Sequence, residues 1–188
     1  VTNTAAAGAG GLDVTLTASG NATATGTITG LAPGITDATS LSVGIDTSAA
    51  GARSGGVTES FVSDAGGGVT SPIAEADPYI DLFGGVYRLA QASLLPTNLT
   101  VRVGAPGTQA ITLTNLDPND GYSENLIATV VGTTGALTAS GTTGDIKPQQ
   151  DGTISVKLST ATPGTIGTVT LDLKSDGTGI DGLGVTDL

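Results

Sequence analysis

The chain of 188 residues contains no cysteine, histidine, methionine or tryptophan, and its aromatic residues are only Phe61, Phe83, Tyr79, Tyr87 and Tyr122. Without cysteine there is no disulfide scaffold and no thiolate metal site. Without histidine or cysteine, the usual pairings of nucleophile and base are missing as well. The scarcity of large side chains means that any core is assembled from Val, Ile, Leu and Ala, each burying modest area. Basic residues are equally sparse, six against 17 acidic ones, for a net charge of −11 and a pI near 4.1. That balance opposes phosphate backbones and anionic lipid, so nucleic acid is not an expected partner. No run reaches 18 consecutive apolar residues, and the opening VTNTAAAGAGG has neither a Met nor a basic segment, so no membrane insertion and no export signal are expected in the chain as it stands. Beginning at Val1, it reads as a chain whose signal was removed or as a fragment of something longer.

What is present is a hydrophobic content of 38%, enough for a packed interior, arranged with a period of two. Leu99, Val101 and Val103 alternate with Thr100 and Arg102. Ile154, Val156 and Leu158 alternate with Ser155 and Lys157, and Val169, Leu171 and Leu173 with Thr170 and Asp172. Leu12, Val14 and Leu16, then Leu41, Val43 and Ile45, repeat the pattern in the first half. Such alternation predicts strands with one buried face. Thirty glycines and eight prolines punctuate them, which suits tight turns and disfavours long helices. A helical exception is VYRLAQASLL at residues 86–95, which ends before Pro96.

The segments recur in order. VTN at residues 1–3 matches LTN at 113–115, and LDVTLTASG from Leu12 matches LIATVVGTTG from Leu126, 114 residues on. ATATGTITGLAPG from Ala22 lies opposite ALTASGTTGDIKP from Ala136, again at 114, and LSVGIDT from Leu41 opposite ISVKLST from Ile154, at 113. TESFVSDAGGG and TLDLKSDGTG bring Asp64 and Asp176 into correspondence at 112. A duplication with a period of one small sandwich domain is the economical reading. The chain holds fewer than two periods, so we expect residues 1–85 to form a β-sandwich module lacking its opening strands. Residues 86–188 should form one lacking its closing strand, the counterpart of ADPYIDLFGG at 76–85.

The run GVYRLAQASLLPTNLTVRVGAPGTQAITLTNLDPNDGYSENL, with the later SDGTGIDGLG, resembles the repeats of bacterial surface proteins carrying choice-of-anchor D type immunoglobulin-like domains. The likeness rests on VYRLAQAS, VRVG, TN and GYSE in that order. It implies an all-β chain of tandem immunoglobulin-like β-sandwich modules, at least one of them incomplete here, in an exported, repetitive and non-enzymatic protein of the bacterial cell surface. It brings no catalytic residues and no cofactor. One departure is Glu59, which stands where the second copy has the core-facing Leu171, so the pairing of that strand is open.

Two acidic features remain. Asp176-Gly-Thr-Gly-Ile-Asp181-Gly could be a calcium loop or a strand end. Calcium takes six to eight oxygens, whereas only Asp176 and Asp181 stand close, with Asp172 on a strand and Asp187 further on. The EF-hand spacing is absent, and the copy around Asp64 has no second Asp nearby. A plain turn is the favoured reading, with Asp accepting backbone N–H groups and Gly at positive φ, and no metal, cofactor or catalytic residue is expected. A glycosidase-like carboxylate pair would need aromatic sugar platforms, for which the aromatics are too few. Asn21-Ala-Thr23 and Asn98-Leu-Thr100 fit the glycosylation pattern, a chance match in a Thr-rich chain. Arg53, Arg88 and Arg102 are scattered and form no basic patch. The expected function is a structural segment of an extracellular fibre, sheath or surface array, partnered by itself or by neighbouring repeats, with strand complementation between neighbours in view. The alternative is an adhesin or glycan-binding module in which LDPNDGYSENL, carrying Tyr122, does the recognition.

Overall fold

The computed structural model describes residues 1–73, 78–159, 162–164 and 166–188. These residues form fourteen β-strands and no helix, and thus no helix long and apolar enough to cross a membrane. The chain divides into two compact units, Val1–Val86 and Tyr87–Leu188.

The first unit contains β1 (Gly11–Gly20), β2 (Ala22–Thr25), β3 (Ile28–Leu31), β4 (Ser42–Ile45), β5 (Gly51–Asp64), β6 (Thr70–Pro72) and β7 (Tyr79–Val86). One sheet has the order β3-β1-β5-β6 with β7 also paired to β5, and β2 pairs β4 separately. Leu12, Val14 and Ile28 form its core, flanked by Leu31, Leu41 and Phe61. β1 and β5 pair without interruption from Gly11 opposite Asp64 to Gly20 opposite Gly55, with Glu59 opposite Leu16. Glu59 therefore leaves the ladder intact, because the strand pairs through its backbone whatever the side chain.

The second unit contains β8 (Ala92–Leu95), β9 (Thr108–Asn115), β10 (Asn125–Thr133), β11 (Leu137–Ala139), β12 (Asp151–Leu158), β13 (Val169–Asp176) and β14 (Val185–Asp187). Its sheets have the orders β11-β12-β9-β8 and β10-β13-β14. One apolar cluster joins them: Leu113, Ile154 and Val156 from the first sheet, Leu126 and Ala128 from the second, with Leu171 and Leu173 packed against them. All strand pairs in both units are antiparallel, an arrangement consistent with a β-sandwich.

Within each unit the same registers occur. Leu12 lies opposite Ser63 and Leu31, and Leu126 opposite Ser175 and Ile146. Asp64 meets Thr70, and Asp176 meets Val185. At the far end of each long hairpin a glycine admits no side chain. A Cβ on Gly55 would stand 2.4 Å from the Ser19 carbonyl oxygen, and one on Gly167 2.2 Å from that of Thr134. Asn3 and Asn115 make one hydrogen-bond set at equivalent places. Asn3 Nδ2 donates to the Gly10 and Leu31 carbonyls (3.4 and 2.7 Å), and its Oδ1 accepts from Ala5 N (3.1 Å). Asn115 Nδ2 donates to the Glu124 and Ile146 carbonyls (3.0 and 3.2 Å), and its Oδ1 accepts from Asp117 N (3.3 Å).

Three expectations change. Residues 86–95 are extended rather than helical: Val86 ends β7, Arg88 bridges Ser123, and Ala92–Leu95 is β8. Ala90 turns into the core while Leu89 and Leu95 are exposed, so tertiary pairing selects period two over local helix propensity. Leu99–Val103 belongs to no strand, although Leu99 packs on the core. The β2–β4 ladder sets Thr25 opposite Ser42, and β11–β12 sets Ala139 opposite Val156. By that register β4 stands 114 residues before β12, not 113. A one-residue slip exchanges the two faces of a strand, and Val43 is accordingly exposed. Of the expected strand at 76–85, Ala76 and Asp77 lie outside the described residues.

Candidate functional site

The acidic turn after β13 is built by its own backbone. Thr178 N donates to Asp176 Oδ1 and Leu183 N to Asp181 Oδ1, both at 2.8 Å. Gly177 N closes the loop on the Gly184 carbonyl at 2.8 Å. Gly182 and Gly184, at φ 79° and 84°, take the left-handed backbone that residues with side chains rarely adopt. Asp176 and Asp181 thus act as turn-forming acceptors, as Asp64 does for Gly66 N at 2.7 Å in the first unit.

A third carboxyl joins them that the acidic spacing did not reveal. Glu124, at the entrance to β10, is 4% exposed. Its Oε2 accepts from Ser175 Oγ at 2.6 Å, and that hydroxyl, on a fully buried residue, accepts from Ala90 N at 2.7 Å. Burial pushes the Glu124 carboxyl above its ordinary value; the Ser175 hydrogen bond pulls against this, while the carboxyls of Asp181 and Asp176 push it further up. Asp181 Oδ2 is, among the described residues, the buried side-chain atom left without a hydrogen-bond partner. The signal for Glu124 was its parity with the inward Leu126 and Ala128. The first unit has Gly10 at the equivalent place, so no such pair forms there. Among the described residues, no group of three or more acids has a geometry able to hold a metal ion. Asp172 and Asp187 instead flank Lys174, at 3.5 and 2.9 Å.

The loop Leu116–Leu126 is fastened on several sides. Arg88 pairs with Asp120 at 2.7 Å and donates to Ser123 Oγ at 3.1 Å. Asp117 accepts from Gln91 N at 2.8 Å, and Gln149 Nε2 donates to the Leu116 and Asp117 carbonyls. The Tyr122 N–H, and after it Arg88, hold the Asp120 carboxyl below its usual range. The Tyr122 ring is half-buried and rests on Tyr87, with centroids 5.4 Å apart at 45°. It is a packed corner residue.

An apolar cleft of about 560 Å³ lies between the sheets of the second unit. It is lined by Leu94 and Pro96–Leu99, by Ile166–Val169, Leu171 and Leu173, and by Leu137 and Leu158. In the first unit a cleft of about 180 Å³ is bordered by Leu16, Leu41, Val43, Glu59 and Ile80. The exposed aromatics are Phe83 and Tyr79, both on β7. Asn98 is exposed and Asn21 half-buried. The sequence matches no protein-family model and no curated protein.

Proposed function

We propose that the chain is a non-enzymatic structural segment of an extracellular, linear array of immunoglobulin-like β-sandwich repeats, of the choice-of-anchor D type that its sequence resembles. The observation that carries this reading is the pair of asparagine clamps, Asn3 and Asn115, whose donors and acceptors reach equivalent partners in the two units. Hydrogen-bond sets of this kind are retained when one module is copied, and a chain of copied modules serves by its length and regularity. Residues 1–86 then form a module without its opening strands, and 87–188 one without its closing strand. The non-enzymatic part draws support from the acid pair: Glu124 is enclosed by the turn and by Ser175, where no substrate can approach it. Electron microscopy of the native material tests the reading. Regular filaments or layers with a repeat one module long are expected, and isolated, unassembled particles would overturn it.

The second reading, an adhesin or glycan-binding module, is favoured by Phe83, which is 82% exposed on β7. Aromatic faces of this kind stack on sugars, and a Phe83→Ala variant that loses binding to a glycan panel would move the assignment to this class.

A further inference from the structure

We propose that the apolar cleft of the second unit is an acceptor groove for one β-strand, and that its occupant is a strand of the β7 pattern carried by a further copy of the repeat. The inference rests on reading the two units as copies of one module. The long central strand of each unit has two edges. In the first unit β1 covers one edge of β5, and β6 and β7 share the other: β6 along Val62–Asp64, β7 along Gly51–Thr58. In the second unit β10 covers one edge of β13, while on the other β14 reaches only Lys174–Asp176. No strand among the described residues occupies the place that β7 holds in the first unit.

The polarity of that open edge follows from period two. The carbonyls of Ile166 and Thr168 face the hairpin partner, accepting from Ala136 N and Thr134 N at 3.0 and 2.8 Å. The backbone groups of Gly167, Val169 and Leu171 therefore point the other way, into the open edge, and Leu173 continues the series by accepting from Leu188 N at 3.0 Å. The first unit shows this pattern filled. Ser54 O turns to Asn21 N, whereas Glu59 N, the counterpart of Leu171, donates to the Pro78 carbonyl at 2.9 Å at the head of β7.

The cleft lies against this edge, between Ile166–Leu173 and Pro96–Leu99. Leu99 lines it, and the alternating segment Leu99–Val103 belongs to no strand, as expected of a segment whose neighbour is missing. β7 has the matching chemistry. Ile80 and Leu82 are half-buried, alternating with the exposed Tyr79, Asp81 and Phe83. The β5–β7 register, Val57 opposite Ile80 and Gly55 opposite Leu82, transfers to Val169 opposite Ile80 and Gly167 opposite Leu82. The occupant's main chain completes the ladder, and its two inward side chains fill the groove.

The test uses the full chain and a synthetic peptide of residues 78–87, PYIDLFGGVY. In the chain alone the amides of Gly167, Val169 and Leu171 should exchange rapidly with solvent. Saturating peptide should protect them, with affinity at least about tenfold above that of a scrambled peptide. A peptide N-methylated at Ile80 and Leu82, which keeps the side chains but loses the ladder donors, should not bind, nor should one carrying Ile80→Asp. Absence of protection, equal binding by the N-methylated peptide, or prior protection of the three amides in the monomeric chain would each overturn the groove assignment. Those results leave the array reading to the microscope. Binding by the peptide in a protein that forms no array would instead remove the array and keep the groove.

Discussion

Glu124→Gln is expected to make the second unit more stable at neutral pH. The native carboxyl is buried, and both burial and the neighbouring Asp181 and Asp176 raise its folded pKa above the value it has in the unfolded chain. The folded unit therefore holds the proton more tightly than the unfolded one. This contribution is fully present below the ordinary glutamate value and is lost as pH rises through the raised folded value. Above that raised folded value the unit bears the cost of an ionised buried carboxylate beside Asp181 and Asp176. Glutamine keeps an oxygen for Ser175 Oγ and supplies an amide donor to Asp181 Oδ2, which lacks a partner. Relieving one buried orphan acceptor is worth about 1–3 kcal/mol, and a net gain of about 1 kcal/mol remains after imperfect geometry. That corresponds to roughly 4–8 °C in the melting temperature of a domain of this size. Calorimetry of wild type and variant between pH 3 and 8 is the assay, because the difference cancels the other carboxylates. The advantage should shrink to nothing in acid. A variant less stable than wild type at every pH would refute the reasoning and show that the unit depends on the charge of Glu124.

Two further perturbations probe other features. Asn115→Ala leaves the buried Glu124 and Ile146 carbonyls without their side-chain donor and should cost about 2–4 kcal/mol in urea unfolding. Asn3→Ala should cost less, since its bond to Gly10 is long at 3.4 Å, and a loss below about 1 kcal/mol for Asn115→Ala would mean that the clamp is not a stabilising feature. Millimolar calcium should stabilise the second unit by less than about 1 kcal/mol, because turn N–H groups already engage Asp176 and Asp181. A large rise in melting temperature, abolished in Asp176→Ala or Asp181→Ala, would make the turn a cation site.

The strands around Leu12, Ile154 and Leu171 were legible because each has one wet and one dry face, a property of local sequence. The all-β character followed from these and from the glycine punctuation. Residues 86–95 were misread because Val86, Leu89, Ala90 and Leu94 stand at helical spacing, and only the bridge to Ser123 and the pairing of β8 with β9 decide for extension. Leu99–Val103 has the alternation of a strand but no strand partner among the described residues, and a strand is a relation between segments. Asp176 and Asp181 were found through their spacing. Glu124 stands 52 positions before Asp176, and its meeting with the turn depends on the β10–β13 register, which places Asn125 opposite Asp176. The register of β4 shifted by one because alternation marks a strand without naming its partner: pairing with β2 sets Thr25 opposite Ser42 and leaves Val43 exposed.

The asparagine clamps also determine where the chain can grow. Asn3 and its acceptor Gly10 are 7 residues apart, Asn115 and Glu124 9 apart, so the same bond spans loops of different length while the strand ends stay fixed. The clamp acts as a collar around whatever lies between, insulating the sheets from the loop's content. Residues 4–9 of the first unit are exposed and, among the described residues, carry little beyond the bonds of Ala5 and Ala9. Lengthening a flexible loop costs only about 0.6 kcal/mol per doubling, so the collar of the first unit is a port into which foreign peptide can be spliced without re-engineering the scaffold.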